Sequence, residues 1–400
     1  MTIASTAFMA AAGGYSTTLS AKLDKIDMSQ ALSAVLLGDR QLLGHIKMGP
    51  PAHNVEVNWL EDLLNTAYVM AAFSASTTCS VTTPATGAVA SLTRLLRIGT
   101  VLQPNGTDQL MMLSETPTKG TIACTMYGST TWADVTVTKC WIVGNPYTDI
   151  ADASSDVSLA RQKRKNFTQI FERAIEITQT RKNMDMEAVV NELQLQTKRR
   201  TMEIKRELDM SVIRGHAYAS ASDTFSGDLG RRTMAGLLQL ISDPNLDDTD
   251  QTDTIIAGGS AALTVGFINS LCYKIWNQGG LDEMADPIIV VGPNQARVIS
   301  AFEKDIRRIE QGERQVGYYK NLFLSDMGVE FPIVMDRWFP DNKLCIMDRA
   351  RVSLRALQGD AWHLEKMAKT GRTEKWQLSG QYTLEVRNGG EAHGLIYDLT

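Results

Sequence analysis

Residues 147–214 form an uninterrupted stretch without glycine or proline, and this stretch constrains the fold more than any other part of the chain. Its second half, residues 184–214, has the apolar spacing of an amphipathic helix. At about 1.5 Å per residue that helix would be on the order of 45 Å long, whereas an average globular helix has only about 11–12 residues. A helix of this length needs other structure along its side, so the sequence predicts that it lies along an extended part of the fold.

The predicted helix carries charged residues that can pair across one turn and a glycine that can end it. Arg199 and Glu203, and likewise Lys205 and Asp209, are four residues apart, so each pair can form a surface ion pair worth about 0.2–0.5 kcal/mol. Gly215 follows the last apolar position and is expected to terminate the helix. The apolar positions that predict its buried side are Met186, Val189, Val190, Leu193, Ile204, Leu208 and Val212.

The rest of the chain shows a β-rich region and a mixed region. Residues 166–180, just before the helix, are rich in apolar residues, and their mixed periodicity allows either a strand or a second helix. Residues 95–143 contain short β-rich runs separated by Pro, Asn and Gly turns, which predicts a small antiparallel subdomain of barrel-like form. Strands and helices alternate over residues 227–348 and predict a mixed α/β domain. Residues 376–399 are expected to form two strands around a turn at 388–390.

Composition indicates a globular protein with unusual uncharged segments. The chain has 400 residues, 44% hydrophobic and 21% charged, which is enough for two or three cores. Residues 1–21 and 63–93 contain no Asp, Glu, Lys or Arg. The first segment is expected to be a mobile arm or an arm that a partner orders, and the second to be covered by other protein, since an uncharged β-rich surface tends to aggregate. The formal net charge of −5 argues against free nucleic-acid binding.

Sequence signatures of catalysis and of metal or cofactor binding are missing. The motifs HExxH, GxxxxGK[ST], GxSxG and GxGxxG do not occur. Five cysteines are widely spaced without a CxxC pair, which predicts free thiols in a reducing compartment. No apolar run approaches the roughly 20 residues of a membrane span, and the N-terminus lacks the basic region of a secretory signal. We therefore expect no catalytic residue, no cofactor and no metal site.

Two charged segments have both a functional and a structural interpretation. The acidic loop 243–254 has Asp248 and Thr254 where a calcium-binding EF-hand needs glycine and glutamate, so a solvated loop is the favoured interpretation. The basic run 161–165 could contact nucleic-acid phosphates. Acidic residues flank that run, so it is more typical of a solvated face or of an inter-subunit salt-bridge partner.

Several pieces, in order along the chain, resemble one protein family. Together they resemble the major capsid protein of tailed bacteriophages with the Hong Kong 97-type fold, in the branch that has a β-rich insertion in its extended loop. The most specific part is the closing AKTG with TLEVRN and AHG. The pieces are WLEDLL at 59–64, RIGTVL at 97–102, NFTQIF at 166–171, the long helix, IWNQGG at 275–280, PIIVVGP at 287–293, AKTG at 368–371 and TLEVRNGGEAHGLI at 383–396.

This resemblance implies an α+β fold with four parts. They are an N-terminal arm, an extended loop carrying a small β subdomain, a peripheral domain with a long spine helix, and an axial α/β domain. The resemblance also favours a strand for residues 166–180, and it implies that the low-charge loop lies on a neighbouring subunit. The corresponding parts of the sequence would be 1–49 for the arm, 65–180 for the extended loop, 50–64 with 181–226 and 349–400 for the peripheral domain, and 227–348 for the axial domain.

The resemblance implies a structural subunit rather than an enzyme. Such subunits self-assemble into pentamers and hexamers of an icosahedral shell that encloses double-stranded DNA. The partners of this chain would be further copies of itself, packaged DNA held without sequence-specific contacts, and scaffolding, portal and decoration proteins. The resemblance implies no contact with a membrane. It would belong to the virion capsid after assembly in the host cytoplasm. Some such proteins begin with a charged scaffolding segment, whereas the uncharged arm here implies a separate scaffolding protein or none.

Candidate inter-subunit contacts follow from the resemblance, and two alternative functions stay open. The loop offers Lys119 and Lys139 for an isopeptide crosslink, but no matching asparagine and glutamate are identifiable, so we expect no covalent crosslink. One alternative is a nanocompartment shell of the same fold that encloses enzyme cargo. The other is a soluble α/β enzyme, against which the missing catalytic motifs argue. The candidate contacts are Phe167, Phe171, Arg173, Arg199, Glu203 and Lys205.

Overall fold

A computed structural model describes most of the chain beyond residue 40, so the predicted arm lies largely outside the described residues. The described residues are 41–62, 67–74, 78–82, 96–115, 121–127, 134–147, 149, 161–183, 192–217, 232–246, 253–302, 322–369 and 371–400. The helices are α1 (Gln41–His45), α2 (Gln179–Asn183), α3 (Glu192–Arg214), α4 (Leu237–Ser242), α5 (Val265–Asn277) and α6 (Pro293–Ser300). The strands are β1 (Lys47–Met48), β2 (Glu56–Glu61), β3 (Tyr68–Ser74), β4 (Thr78–Thr82), β5 (Val101–Pro104), β6 (Met111–Leu113), β7 (Thr121–Met126), β8 (Val135–Gly144), β9 (Gln162–Phe167), β10 (Gln169–Thr178), β11 (Ile255–Ala261), β12 (Pro287–Val291), β13 (Leu322–Leu324), β14 (Glu330–Met335), β15 (Leu344–Asp348), β16 (Val352–Ala356), β17 (His363–Lys366), β18 (Thr373–Val386) and β19 (Gly394–Leu399).

The chain divides into two compact units. The larger contains Met1–Asn58 and Lys165–Thr400, and the smaller is Trp59–Arg164. The chain leaves the larger unit within β2 and returns to it within β9, and these two strands pair with each other. β2 is extended, and its residues alternate between buried and more exposed positions.

The first sheet of the larger unit is built around the long strand β18. Its order is β1-β16-β18-β10, and β17 also pairs with β18. β10 runs antiparallel to β18 over ten residue pairs, from Gln169 opposite Tyr382 to Thr178 opposite Thr373. The segment 166–180 is therefore mainly a strand, as the resemblance implied. Its burial alternates at every second residue, which is the period of a half-covered sheet.

The long helix α3 is present and is buried along the predicted side. Ile204, Leu208 and Val212 are almost completely buried, which confirms the apolar stripe in the second half of the helix. The helix ends at Arg214, directly before Gly215, as predicted. Residues 184–191, where the prediction began the helix, lie outside the described residues.

The end of α3 lies against the start of α4 through two glycines. Gly236 donates its backbone N–H to the carbonyl oxygen of Gly215 at 2.8 Å. A Cβ atom on Gly236 would lie 2.6 Å from the nitrogen of Gly215 and 2.8 Å from the carbonyl oxygen of Ser211. Both obstacles are backbone atoms, so the contact requires glycine because of close approach rather than because of an unusual φ angle.

Gly236→Ala is expected to lower the free energy of unfolding by about 1–3 kcal/mol, the usual cost of overpacking a tight contact. The added methyl group would force the end of α3 away from α4. Chemical denaturation of the purified chain measures the change. The matched control is Gly266→Ala in the first turn of α5, where the new Cβ would meet its nearest neighbour at an ordinary 3.6 Å. Equal effects of the two substitutions would contradict the steric argument.

The second sheet of the larger unit has six strands with the order β11-β19-β15-β12-β14-β13. β12 is buried at all but its first residue, so its near-continuous apolar sequence reflects cover on both faces. Helix α5 packs Ile268, Leu271 and Ile275 into the same core as Ile346 and Ile396 of the sheet. The described residues of 227–348 contribute the strands β11 to β15 to this sheet, and β19 from the end of the chain completes it.

The last strand of the chain corrects the predicted division. Residues 349–400 were expected to return together to the domain of the long helix. Instead β18 lies in the sheet with β10, whereas β19 lies between β11 and β15 in the six-stranded sheet. The two strands around the turn at 388–390 therefore belong to different sheets, because β19 pairs parallel to β11 and antiparallel to β15.

The smaller unit contains a closed six-stranded barrel with the order β3-β4-β7-β6-β5-β8. The barrel-like form predicted for residues 95–143 is confirmed, and β3 and β4 from the uncharged segment 63–93 complete it. Val69, Phe73 and Cys79 of that segment are buried in the barrel core. Its lack of charge was attributed to a neighbouring subunit, but the described part is explained by the barrel interior.

Candidate functional site

Exposed apolar side chains are the first sign of surfaces that other molecules could cover. Single exposed apolar residues are normal, whereas groups of them mark contact sites. Three of them, Val137, Trp141 and Val143, share strand β8 of the barrel. The exposed large hydrophobic residues are Met48, Leu60, Ile98, Tyr127, Val137, Trp141, Val143, Tyr147, Ile170, Met210, Tyr273, Trp276, Leu324, Leu364 and Met367.

The predicted contact residues on α3 are half-buried, and their pairing differs from the prediction. Glu203 binds Arg200 at 2.6 Å, three residues away, although Arg199 was the expected partner. Lys205 was expected to pair with Asp209 on the surface, but Asp209 is completely buried and accepts the backbone N–H of Leu43. Periodicity had already put Leu208 and Val212 on the buried side, and Asp209 is buried alongside them.

The two predicted aromatic contacts have different surroundings. Phe171 is only 1% exposed and packs against Trp362, with ring centroids 6.3 Å apart. Trp362 in turn packs on Tyr382 at 4.8 Å. The side chain of Phe171 therefore belongs to the core of the first sheet rather than to a surface that a neighbour can contact. Phe167 is half-buried, and the ammonium of Lys165 lies 6.0 Å from its ring.

Arg173 connects β10 to the long helix. Its guanidinium binds the Glu207 carboxylate of α3 at 2.6 Å, and both side chains are about two-fifths exposed. This contact lies within one chain, so in the described structure Arg173 fixes the strand to the helix.

Removing the Arg173–Glu207 pair is expected to cost little, because half-exposed ion pairs contribute about 0.2–1 kcal/mol. A double-mutant cycle with Arg173→Ala and Glu207→Ala, measured by chemical denaturation, isolates the pairwise coupling. Raising the salt concentration should weaken the coupling, since exposed pairs are screened. A coupling of several kcal/mol that does not respond to salt would contradict this description.

A fully buried asparagine joins three parts of the larger unit. The amide of Asn166 donates to the carbonyl oxygens of Ala235 at 3.1 Å and Leu384 at 2.6 Å. Its side-chain oxygen accepts the backbone N–H groups of Ala235 and Phe167. All four hydrogen-bonding positions of this amide are thus used. Sequence reasoning missed this role, although polar residues at every second position, 164, 166 and 168, signalled a polar buried face.

The start of helix α1 is held by two buried carboxylates from distant elements. Asp336, beside β14, accepts the backbone N–H of Leu42 at 3.0 Å, and Asp209 of α3 accepts that of Leu43 at 3.2 Å. Carboxylates satisfy the free N–H groups at a helix start and favour its positive end. These two hydrogen bonds connect the end of the predicted arm to helix α3 and to the end of strand β14. No local sequence pattern indicated this connection.

The basic run 161–165 is only partly available for outside contacts. Arg164 is buried and binds the equally buried Glu61 at 2.9 Å, and Trp59 donates its indole N–H to the same carboxylate. Arg161 is exposed and lies 3.7 Å from Asp62. One of the basic residues therefore neutralises a buried acid, which weakens the nucleic-acid interpretation further.

His393, in the AHG sequence near the C-terminus, is buried and neutral. Burial lowers its pKa to about 4, and a hydrogen bond to the carbonyl oxygen of Arg387 only partly opposes this. Nδ1 accepts the backbone N–H of Asp348 at 3.2 Å, and Nε2 lies 3.1 Å from the Arg387 oxygen. These contacts fix the tautomer with the proton on Nε2, so His393 joins the turn after β18 to the end of β15.

Metal-ligating groups and reactive thiols are two kinds of chemistry on which the described residues give information. Among them, no three His, Cys, Asp or Glu side chains are grouped so that they could hold a metal ion. Burial raises the pKa of the Cys272 thiol to about 12 and those of Cys124 and Cys140 to about 11, so these thiols are poor nucleophiles. None of the described helices is both long and apolar enough to cross a bilayer.

Comparisons with known proteins point to one family. A family model described as SU10 major capsid protein matches residues 11–400. The chain is similar to the major capsid protein of Escherichia phage Phieco32, with 23% identity over 259 residues that cover 56% of this chain and 73% of that protein.

Solved capsid structures share the fold. The capsid of an empty GTA particle computed with C5 symmetry has a TM-score of 0.54 at 11% identity, covering 95% of this chain and 97% of that chain. The cyanophage A-1(L) capsid asymmetric unit has a TM-score of 0.50 at 11% identity, covering 64% and 85%. The expected α+β fold of Hong Kong 97 type is thereby confirmed.

Proposed function

The chain belongs to the SU10 major capsid protein family, and we propose that its copies assemble into the pentamers and hexamers of an icosahedral shell that encloses double-stranded DNA. The family match over residues 11–400 carries this proposal. As a phage major capsid protein, the chain is a component of the virion capsid and is not an enzyme.

The surface of the described residues supports assembly. Large apolar side chains such as Trp141, Ile170, Tyr273 and Trp276 are exposed in the single chain. Obligate interfaces are more hydrophobic than other protein surfaces and commonly bury more than about 2,000 Å². When two copies bury these side chains against each other, apolar surface is removed from water. The free energy of this burial would favour assembly of a shell.

We assign the parts of the fold to the roles that the resemblance implied. The sheet around β18 and helix α3 would form the peripheral domain, and the six-stranded sheet with α5 and α6 the axial domain. The barrel would be the insertion in the extended loop. Because β19 joins the six-stranded sheet, residues 394–399 go to the axial domain, and the peripheral domain keeps β16, β17 and β18.

The proposed relation to DNA is enclosure rather than specific binding. The formal net charge is −5, and one arginine of the basic run is buried in an ion pair. Further copies of the chain would be the main partners, with scaffolding, portal and decoration proteins as additional ones. Assembly would take place in the host cytoplasm.

Negative-stain electron microscopy with light scattering on the same purified sample tests the proposal. Closed shells, or rings of five and six subunits, are the expected result. Shells from the producing cells are then treated with nuclease, and protected double-stranded DNA is expected inside. A chain that stays monomeric at high concentration, with and without co-expressed phage assembly proteins, would overturn the shell. Shells that protect enzyme cargo instead of DNA would indicate a nanocompartment.

A further inference from the structure

The outer face of the barrel carries a stripe of exposed side chains along β8. Cys140 is completely buried in the barrel core, so Lys139 and Trp141 on either side of it point outward. Val137 and Val143 extend the stripe at both ends, and more than half of each side chain is exposed. Alternate residues of a strand are about 6.8 Å apart, so the stripe is roughly 20 Å long.

Lys139 places one positive charge in the middle of this apolar stripe. Its ammonium nitrogen lies 3.8 Å from the centre of the Tyr68 ring and 4.3 Å from that of Trp141. The two rings meet edge to face at 5.8 Å. Cation–π contacts hold the ammonium in place. Among the described residues Lys139 forms no ion pair, so its charge is oriented and available to a carboxylate from outside.

A complementary stripe lies on the larger unit, on the uncovered side of β10. The other side of β10 packs Phe171 and Ile175 into the core and connects to α3 through Arg173. Glu176 on the uncovered side pairs with Lys375 at 3.7 Å, but Glu172 has no ion pair among the described residues. The exposed positions of this stripe are Ile170, Glu172, Ala174 and Glu176.

We propose that the β8 stripe of one copy packs against the β10 stripe of a second copy, with Lys139 opposite Glu172. The occupant of each stripe is thus the same protein. Sheets that pack face to face lie about 10 Å apart, so that side chains on the two facing surfaces meet between them. Each of these two residues has no ion pair among the described residues of its own chain, and the contact between copies would pair the two charges with each other.

The apolar neighbours support this alignment. When the two strands run in opposite directions, Trp141 lies over Ile170 while Val137 lies over Ala174. Lys139 with Trp141, and Ile170 with Glu172, are each two residues apart, so the charged pair and the Trp141–Ile170 pair fall into register together. Val137 lies where the pairing of β8 with β3 shifts by one residue, so its place over Ala174 follows the strand direction only approximately. An aromatic ring over an exposed isoleucine removes apolar surface from water on both sides.

The contact has a geometric consequence for assembly. The two stripes are different surfaces, so the contact is heterologous, and each copy can use one stripe for the neighbour before it and the other for the neighbour after it. Contacts of this kind close into rings when the rotation allows. The inference therefore rests on the proposed function and names one contact within the ring.

Charge reversal tests the contact with the full chain. Lys139→Glu and Glu172→Lys should each weaken self-association about tenfold, because each places like charges opposite each other. The variant with both substitutions should associate like the unmodified chain. A 1:1 mixture of the two single variants should also associate, in even-numbered rings, because alternating copies put opposite charges at every contact. Analytical ultracentrifugation and electron microscopy measure both effects.

Matched controls separate the contact from other effects. Lys47→Glu on β1 and Asp282→Lys after α5 reverse exposed charges away from both stripes and should not change association. Thermal melting confirms that each variant is folded. Single variants that associate normally, or folded single variants that neither the double substitution nor mixing restores, would overturn the contact. Rescue by the double substitution without rescue by mixing would place the contact within one chain and also overturn it.

The proposed function fails in a different way. If the unmodified chain stays monomeric, the shell is overturned and the contact with it. If the unmodified chain assembles and the two single variants assemble equally well, the shell stands and only the contact is overturned.

Discussion

Replacing Arg164 with alanine is expected to lower the free energy of unfolding of the unit that contains Trp59–Arg164 by about 3–5 kcal/mol. The Arg164 and Glu61 side chains are 8% and 3% exposed and lie 2.9 Å apart. Without the guanidinium, the Glu61 carboxylate keeps the indole N–H of Trp59 as a partner but loses its buried counter-charge. Urea denaturation followed by tryptophan fluorescence measures the loss, and Trp59 is one of the seven tryptophans that contribute to the signal.

The chain offers a matched control only three residues away. Arg161 and Asp62 form a 3.7 Å pair in which both side chains are more than two-thirds exposed. Arg161→Ala should therefore cost at most about 1 kcal/mol. Replacing both buried partners, with Arg164→Met and Glu61→Leu, should recover most of the loss, since a well-packed apolar pair is often as stable as a buried ion pair. An Arg164→Ala variant as stable as Arg161→Ala would refute the assigned role.

The second large effect is a dependence of stability on pH through His393. Burial lowers its pKa to about 4, below the ordinary value of 6.5, so between these values the unfolded chain binds more protons than the folded chain. The stabilising contribution of neutral His393 is complete above about pH 6.5 and is lost as the pH falls toward 4. The shift corresponds to about 3 kcal/mol in the free energy of unfolding.

Protonation has a clear structural cost at this site. A proton on Nδ1 would face the backbone N–H of Asp348, which now donates to that nitrogen. His393→Gln should lower stability at neutral pH and remove this part of the pH dependence between about pH 6.5 and 4. Chemical denaturation at several pH values measures how the free energy of unfolding depends on pH. The same dependence for His393→Gln and for the unmodified chain would contradict the role assigned to His393.

Local patterns predicted the elements that carry a strong period. The i+4 spacing of Ile204, Leu208 and Val212 identified the buried side of α3, and the turn residues Asn105 and Gly106 separated two strands of the barrel. Such patterns work because burial repeats with the geometry of one element. The same reasoning could not choose between strand and helix for residues 166–180. Ile170 and Ala174 are apolar but exposed, so the apolar pattern does not follow the two-residue period of burial.

Strand partners were beyond the reach of local patterns. β18 and β19 are separated by one short turn, yet they enter different sheets. β3 and β4 complete a barrel whose other strands follow later in the chain, so an uncharged segment that suggested a neighbouring subunit is largely interior. The pairing of strands depends on which strand edges meet when the chain folds. This is a property of the whole fold rather than of the sequence of one strand.

The candidate inter-subunit contacts also divide into those that local sequence patterns predicted and those that required the folded structure. The exposed face of β10 followed from its alternation once the strand was known, but Phe171 on the opposite face belongs to the core with Trp362. The β8 stripe with Lys139 and the β10 stripe with Glu172 were identified only from the exposure of their side chains and from the ion pairs of the charged residues. Neither residue differs in sequence from an ordinary surface charge.

The sequence by itself determined the long helix, the β-rich barrel region and the family, because apolar period, turn residues and motif order are local properties of the chain. The tertiary structure decided which polar groups are buried and what they bind. Asp209 accepts the N–H of Leu43, 166 residues away, and Arg164 binds Glu61, 103 residues away. Burying a charge costs several kcal/mol unless a partner is in place, and only the folded chain brings partners so distant in sequence together.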